Sequence, residues 1–320
     1  MKKISDGVWP VMLTPFKGKD QIDFNGLEEL TEWYISQGVH GLFSACLSSE
    51  ALEMGDASKL ALVKRVVEIA DGRIPVVAGV MGVVSRSKRV EMAHEVLEIG
   101  AAAAVLTFSD LVHQGASDEE WMREMDRHLN SLKGCPLGVY ECPFPYHRMM
   151  TPELTDYVSD HPEFLFLKET SGRLPEMVRK RQAGKKFGLK VFSADALTIL
   201  EAMKGGLNGF SGLQTNLWPA LHVKLFACWQ DNPLLAKRLQ QFFIDYQWVL
   251  HRSYPASAKL YLKMAYDLNI ETLSFLEDAS VGLGDQEWIS ELVQAVHDFM
   301  GQINVHLPIG RCVSNYRMGR

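Results

Sequence analysis

Three short segments carry side chains that can act together on a carbonyl group. Phe164-Leu165-Phe166-Leu167 ends in Lys168, and Glu169-Thr170-Ser171-Gly172 follows. A lysine closing an apolar run is taken out of water, which lowers its pKa and frees the amine to attack a carbonyl carbon. Tyr140 closes another run, Leu137-Gly138-Val139, with Cys142-Pro143 just beyond it. A phenol beside such an amine can pass protons to and from a held substrate. A third run leads into Cys46-Leu47-Ser48-Ser49-Glu50, a small polar turn whose backbone N–H groups and Ser48 hydroxyl suit a carboxylate. These segments offer a candidate nucleophile, a candidate acid/base and a candidate carboxylate anchor. Read alone, each part also has a plainer role: a surface lysine, a half-buried core tyrosine, an N-cap serine.

What could bring these segments together is a repeated strand and helix. Eight short apolar, β-leaning runs begin near Val8, Val39, Pro75, Ala102, Leu137, Phe164, Leu189 and Asn208, about 29 residues apart. Between most of them lie helical periodicities: Leu27-Leu30-Tyr34, Leu60-Val63-Val67, Val90-Ala93-Leu97 and Leu197-Leu200-Met203. Continuous apolar strands alternating with amphipathic helices predict a parallel sheet covered on both faces. Eight such units favour closure into an α/β (β/α)8 TIM barrel, in which reactive side chains collect at the C-terminal ends of the strands. The three segments are the ends of the second, fifth and sixth runs, as that arrangement requires. The barrel is expected over residues 1–216. A helical region follows over 217–300, with helices from Leu217 to Trp229, Pro233 to Leu250, Ser257 to Tyr266 and Asp285 to Met300, and an extended tail over 301–320.

Composition narrows the partners. The chain has 320 residues, 47% of them hydrophobic and 22% charged, enough apolar material for a large core. Its net charge of −6 argues against a nucleic-acid partner, which calls for a basic surplus. The longest apolar stretches, such as Ala101 to Leu106, fall far short of the ~20 residues of a membrane span. Met1-Lys2-Lys3-Ile4-Ser5-Asp6 lacks the apolar core of a secretory signal, so a cytoplasmic protein is expected. Five cysteines without a CxxC or a zinc-finger His pair fit reduced thiols, with no metal or cluster. Arg179-Lys180-Arg181, with Lys185 and Lys186, reads as the solvated end of a helix. Gly205-Gly206-Leu207-Asn208-Gly209 lacks the Lys and Ser/Thr of a phosphate-binding loop and fits glycines placed for sterics.

Taken in order and spacing, these segments resemble the dihydrodipicolinate synthase and N-acetylneuraminate lyase superfamily, the pyruvate-dependent class I aldolases. The resemblance runs from Gly7-Val8-Trp9-Pro10-Val11-Met12-Leu13-Thr14-Pro15-Phe16, like the family's opening strand, to about Met300. Asp71-Gly72-Arg73-Ile74-Pro75-Val76 is similar to its run into strand 3, and Phe166-Leu167-Lys168-Glu169-Thr170-Ser171-Gly172 to its Schiff-base motif. Ser193-Ala194-Asp195, Gly209 and Asn216-Leu217-Trp218-Pro219 are similar to its last two strands. The resemblance implies that Lys168 condenses with pyruvate or another 2-oxo acid and that Tyr140 is the acid/base. It implies substrate contacts from Leu47, Ser48, Ser49, Thr170, Ala194 and Ser211. The reaction makes or breaks a carbon–carbon bond with an aldehyde or sugar acid, without a cofactor, in a homodimer or homotetramer.

Departures from the family pattern bear on which reaction. Gly-Thr-Thr-Gly-Glu becomes Cys46-Leu47-Ser48-Ser49-Glu50, so Leu47 replaces the threonine that relays protons. Val112 falls where the resemblance expects a second relay tyrosine, and neither side chain can carry a proton. Tyr-Asn-x-Pro-x-Arg-Thr-Gly becomes Tyr140-Glu141-Cys142-Pro143-Phe144-Pro145-Tyr146-His147, with Pro145 in place of the arginine that receives the second carboxylate. Arg148 is a candidate substitute, and His113, Tyr146 and His147 are candidate mouth residues. Thr170 matches sialate lyases and points to a hydroxylated or aromatic aldehyde. These changes weigh against an authentic dihydrodipicolinate synthase condensing pyruvate with aspartate semialdehyde. The apolar Leu47 and Val112 also fit a paralogue that binds a 2-oxo acid without turnover.

Overall fold

The computed structural model describes residues 4–276 and 279–304 of the chain. Eight parallel strands form one sheet: β1 (Gly7–Val8), β2 (Leu42–Ser44), β3 (Val76–Val80), β4 (Ala103–Thr107), β5 (Leu137–Tyr140), β6 (Phe164–Glu169), β7 (Lys190–Ser193) and β8 (Gly209–Phe210). From β2 to β8 each pairs with the next in sequence, and β8 pairs with β1. Pro10 has no N–H to donate, so the β1 ladder is cut to two residues. The run continues past it nonetheless, and a parallel bridge joins Val11 to Phe43. Phe43 donates its N–H to the Pro10 carbonyl at 2.9 Å and accepts from Met12 at 3.0 Å, which joins the first strand to the second and closes the barrel. Where β8 meets β1 the backbones nearly touch: a Cβ on Gly209 would stand 1.8 Å from the Gly7 carbonyl oxygen. Only glycine permits that approach.

The outer layer is α1 (Phe24–Ser36), α2 (Asp56–Ala70), α3 (Arg86–Ile99), α4 (Asp118–Ser131), α5 (Pro152–Ser159), α6 (Leu174–Ala183), α7 (Ile199–Lys204) and α8 (Pro219–Cys228). Helix starts follow local chemistry. Asp23 caps α1 by accepting from the Asn25 and Gly26 N–H groups, and Ser117 with Glu120 forms a reciprocal box at α4. The predicted periodicity at Leu197 begins too early: α7 starts at Ile199 and Leu197 is exposed ahead of it. Beyond the barrel lie α9 (Pro233–Asp245), α10 (Ala256–Tyr266) and α11 (Leu283–Gln302). The helix expected from Pro233 to Leu250 ends at Asp245, and a separate 3-10 turn covers Gln247–His251. Gly301 and Gln302 belong to α11, and residues 305–320 of the expected tail lie outside the described residues.

Inside the barrel, Trp9, Phe43, Phe166 and Phe192 fill the centre, with Trp9 5.5 Å from each of Phe166 and Phe192 between ring centroids. This plug gives the side chains above it an apolar floor. On the outer face, His222 lies flat between Phe210 and Phe243, 4.8 and 4.1 Å between ring centroids. Burial pushes its pKa down to about 3, so it packs as a neutral ring.

Candidate active site

Side chains alternate along a strand, and register partners on parallel strands share a face. Thr107 pairs with Tyr140, Tyr140 with Lys168, and Lys168 with Phe192. Phe192 belongs to the interior cluster, so Lys168 and Tyr140 also project inward, at the C-terminal ends of β6 and β5. Lys168 is 3% exposed, and its Nζ sits 4.3 Å from the Tyr140 ring centroid and 5.8 Å from that of Phe43. Three other lysines are buried, and each rests on a carboxylate: Lys59 on Asp56, Lys180 on Glu141 and Glu169, Lys259 on Glu50. Lys168 has no carboxylate partner among the described residues. Burial holds its pKa below the usual lysine range, opposed only by the thiols of Cys46 and Cys142. An amine kept in apolar surroundings without a counter-ion carries the neutral, nucleophilic form at lower pH than a surface lysine does.

Tyr140 is also buried, and burial raises its pKa well above the ordinary phenol value, with Cys142, Cys46 and Tyr254 adding to the rise. Burial likewise pushes the Cys142 thiol up to about 11. Near neutral pH the phenol therefore keeps its proton and serves as a donor.

The turn after β2 is pinned from several sides. The Ser49 hydroxyl donates to the Met12 carbonyl at 2.7 Å and accepts from the Cys46 N–H at 3.1 Å, and the Thr14 hydroxyl donates to the Ser49 carbonyl at 2.8 Å. Glu50, in the left-handed region at φ 59°, accepts from Lys259 at 2.8 Å, from the Ser274 hydroxyl at 2.9 Å and from the Phe275 N–H at 2.7 Å. The Ser49 hydroxyl is thus engaged by the backbone and shapes the turn. Ser48 faces the other way, toward the Tyr254 hydroxyl at 2.9 Å, and Leu47 is half-buried beside it. Tyr254 precedes α10 and carries no motif that marks it, so the sequence reading missed it.

The remaining expected contacts sit at neighbouring strand ends. Ala194 follows β7 and donates its N–H to the Glu169 carbonyl, while Ser211 follows β8 and donates its N–H to the Ser193 carbonyl. The Ser211 and Thr107 hydroxyls are buried with no protein partner among the described residues. Thr170 donates to the Glu141 carbonyl at 2.7 Å and meets His147 Nε2 at 2.8 Å, which places His147 at the end of β6. Tyr146 donates to the Val112 carbonyl at 2.6 Å. His113 lines a surface groove with Glu120 and Arg123 of α4. The Arg148 guanidinium is held by Asp118 at 2.7 Å and by the Ala116 carbonyl at 2.8 Å, while its Nε has no partner among the described residues.

The basic run on α6 also needs correction. Lys180 is fully buried, its Nζ 2.6 Å from Glu141 Oε1 and 2.9 Å from Glu169 Oε1. Glu141 follows Tyr140 and Glu169 follows Lys168, so alternation turns both acids outward, between the sheet and α6. One cation therefore ties together the two strands that carry the amine and the phenol. Glu141 further accepts from the Met150 and Thr170 N–H groups at 2.7 and 3.1 Å. A sequence signal existed: two acids placed one residue beyond buried strand ends require a buried cation.

Comparison with known proteins bears on this arrangement. A model of the Dihydrodipicolinate synthetase family matches residues 4–270. The 4-hydroxy-tetrahydrodipicolinate synthase of Thermodesulfovibrio yellowstonii is 26% identical over 229 residues, 71% of this chain and 76% of that protein. The enzyme of the same name from Sorangium cellulosum is 28% identical over 218 residues, 67% and 70% of the two chains. Among solved structures, dihydrodipicolinate synthase from Bacteroides thetaiotaomicron superposes with a TM-score of 0.81 at 20% identity, covering 92% of this chain and all of that one. YagE, a prophage protein of the dihydrodipicolinic acid synthase family from E. coli K12 solved with pyruvate, gives 0.80 at 18% identity over 91% and 98% of the chains.

Proposed function

The chain belongs to the Dihydrodipicolinate synthetase family, and from its site we propose that it is a Schiff-base-forming class I aldolase or lyase acting on pyruvate or another 2-oxo acid. The observation that carries the reading is the buried Lys168 amine, without a counter-ion among the described residues, beside Tyr140 at the mouth of the barrel. The amine adds to the C2 carbonyl, and Tyr140 supplies the proton with which the C2 oxygen leaves as water. The resulting iminium withdraws electrons from C3, and the tyrosinate left at Tyr140 takes a C3 proton to give the enamine. In one direction C3 of the enamine attacks an aldehyde, whose oxygen takes the proton held by Tyr140; in the other, the tyrosinate takes the C4 hydroxyl proton as the C3–C4 bond breaks, the aldehyde departs, and C3 regains a proton from Tyr140. The imine is then hydrolysed to free the amine. Ser48 holds the carboxylate and so fixes which face of C3 reacts. Thr170, Ala194, Ser211 and Leu47 line the same strand ends and complete the substrate surface.

The second substrate is an aldehyde or a sugar acid. Pro145 stands where the resemblance expects a carboxylate-receiving arginine, and Arg148 is held by Asp118. Both favour a partner other than aspartate semialdehyde. Among the described residues no helix is long and apolar enough to cross a membrane. We assign the protein to the cytoplasm, as a homodimer or homotetramer; sedimentation velocity distinguishes these from a monomer.

A panel of aldols derived from 2-oxo acids, assayed for pyruvate release with lactate dehydrogenase, tests the reaction. At least one member is cleaved, and Tyr140→Phe lowers that turnover by about 10^2- to 10^4-fold. Equal turnover in Tyr140→Phe would remove the phenol from the mechanism. Coupling to a dihydrodipicolinate reductase separates the synthase: rapid consumption of aspartate semialdehyde would assign that reaction instead. The pH dependence follows from the amine. Because neutral Lys168 is the nucleophile and burial lowers its pKa, imine formation rises with pH and levels off below the usual lysine range. A rise that continues through that range would show an amine still in water.

A further inference from the structure

We propose that Tyr254 is a positioning residue that makes Ser48 an obligate hydrogen-bond donor to a carboxylate. The inference rests on the aldolase reading and adds to it a residue from outside the strand-end motifs. A chain of buried polar groups runs from α1 to the turn after β2. The Asn216 amide nitrogen lies 2.8 Å from the Val11 carbonyl and 2.7 Å from the Tyr254 hydroxyl, and its oxygen lies 2.7 Å from the Tyr34 hydroxyl. A carbonyl only accepts, so Val11 fixes which end of the amide is nitrogen. That nitrogen gives one hydrogen to Val11 and the other to the Tyr254 oxygen. With its oxygen accepting from Asn216, the Tyr254 hydroxyl donates to Ser48 Oγ at 2.9 Å.

The direction of this chain determines what Ser48 can do. Its oxygen already accepts from a phenol, and its own hydrogen has no acceptor among the described residues, although the side chain is buried. A buried donor without an acceptor is costly unless a ligand supplies one. The acceptor that best suits a hydroxyl polarised by a phenol is an anion, since charge-assisted bonds are roughly twice as strong as neutral ones. Tyr254 thus acts through Ser48. Val11 and Asn216 anchor it to the strand that closes the barrel, so the hydroxyl is held before substrate arrives. The turn that bears Ser48 contains no cation, and hydrogen bonding carries the recognition of the acid there.

Borohydride trapping at graded ligand concentrations reads this directly, using pyruvate as the acid and methyl pyruvate as its uncharged ester. Tyr254→Phe keeps the ring and deletes the donor. It should raise the half-saturating pyruvate concentration roughly ten-fold with little change in the plateau of adduct, and leave the ester's half-saturation where it was. Ser48→Ala, at the far end of the chain, should reproduce the loss of acid preference, and Tyr254→Phe added to it should cost nothing more. The same half-saturation in Tyr254→Phe as in the unsubstituted protein, or equal rises for acid and ester, would overturn the assignment while leaving the aldolase reading intact. Should Tyr254→Phe fail to fold, Ser48→Ala decides: an acid and an ester weakened alike overturn the proposal. Absence of any adduct on Lys168 in the unsubstituted protein would overturn the aldolase reading and the Tyr254 assignment with it.

Discussion

Lys168→Ala yields a folded barrel that forms no borohydride-stable adduct with pyruvate and loses aldol turnover by about 10^4-fold or more, the scale on which removal of a covalent nucleophile is felt. The size follows from the position. The other buried lysines at Lys59, Lys180 and Lys259 are held by carboxylates and cannot take over. Without an iminium no group remains to withdraw electrons from C3, and the enamine is out of reach. The fold is expected to survive because Lys168 makes no ion pair among the described residues, and burying its amine is a cost the native state carries. Thermal unfolding of Lys168→Ala should therefore be unchanged or slightly later, the pattern of a residue retained for activity at the expense of stability. A marked loss of stability would mean that the amine has structural partners.

Lys180→Met has the opposite profile, with the largest effect on stability. It leaves the buried Glu141 and Glu169 carboxylates facing each other without the cation that joins them. Removing one partner of a buried ion pair costs about 3–5 kcal/mol, measurable as a shift of the urea midpoint. The loss depends on pH in a defined sense. Burial already raises the Glu141 pKa, opposed first by Lys180, and deleting the cation raises it further. A carboxyl whose folded-state pKa lies above its unfolded value contributes fully when protonated and loses that contribution as pH rises through the folded pKa. The deficit of Lys180→Met is therefore largest at neutral and alkaline pH and shrinks toward acid. Adding Glu141→Gln and Glu169→Gln should recover much of it. A deficit independent of pH, or no recovery, would show that Lys180 acts by packing alone.

The two variants together show how much the sequence reveals. Strand ends were legible because their signal is local: an apolar run closed by a reactive side chain, in a series of runs whose starts average about 29 residues apart. That reading placed Lys168, Tyr140 and Ser48 on three strands, and the register of β4 to β7 sets Thr107, Tyr140, Lys168 and Phe192 side by side. Partners supplied from distant elements were not legible. Lys180 lies within a basic run that looks solvated, and only the packing of α6 against β5 and β6 buries it. Tyr254 comes from outside the eight units, 206 residues from the serine it touches. Arg148 has the type and nearly the position of a carboxylate receptor, yet Asp118, 30 residues earlier, captures it. Sequence spacing specifies which side chains reach a strand end. It does not specify which of them a neighbouring helix has already engaged.

Every step of the proposed reaction depends on an imine between Lys168 and a 2-oxo acid. The most direct test is reduction of the 320-residue protein with borohydride in the presence of pyruvate, followed by intact-mass and peptide mass spectrometry. One reduced pyruvate per chain is expected, carried by the peptide that contains Lys168. A protein left unmodified by pyruvate and by longer 2-oxo acids, or an adduct carried by another lysine, would contradict it.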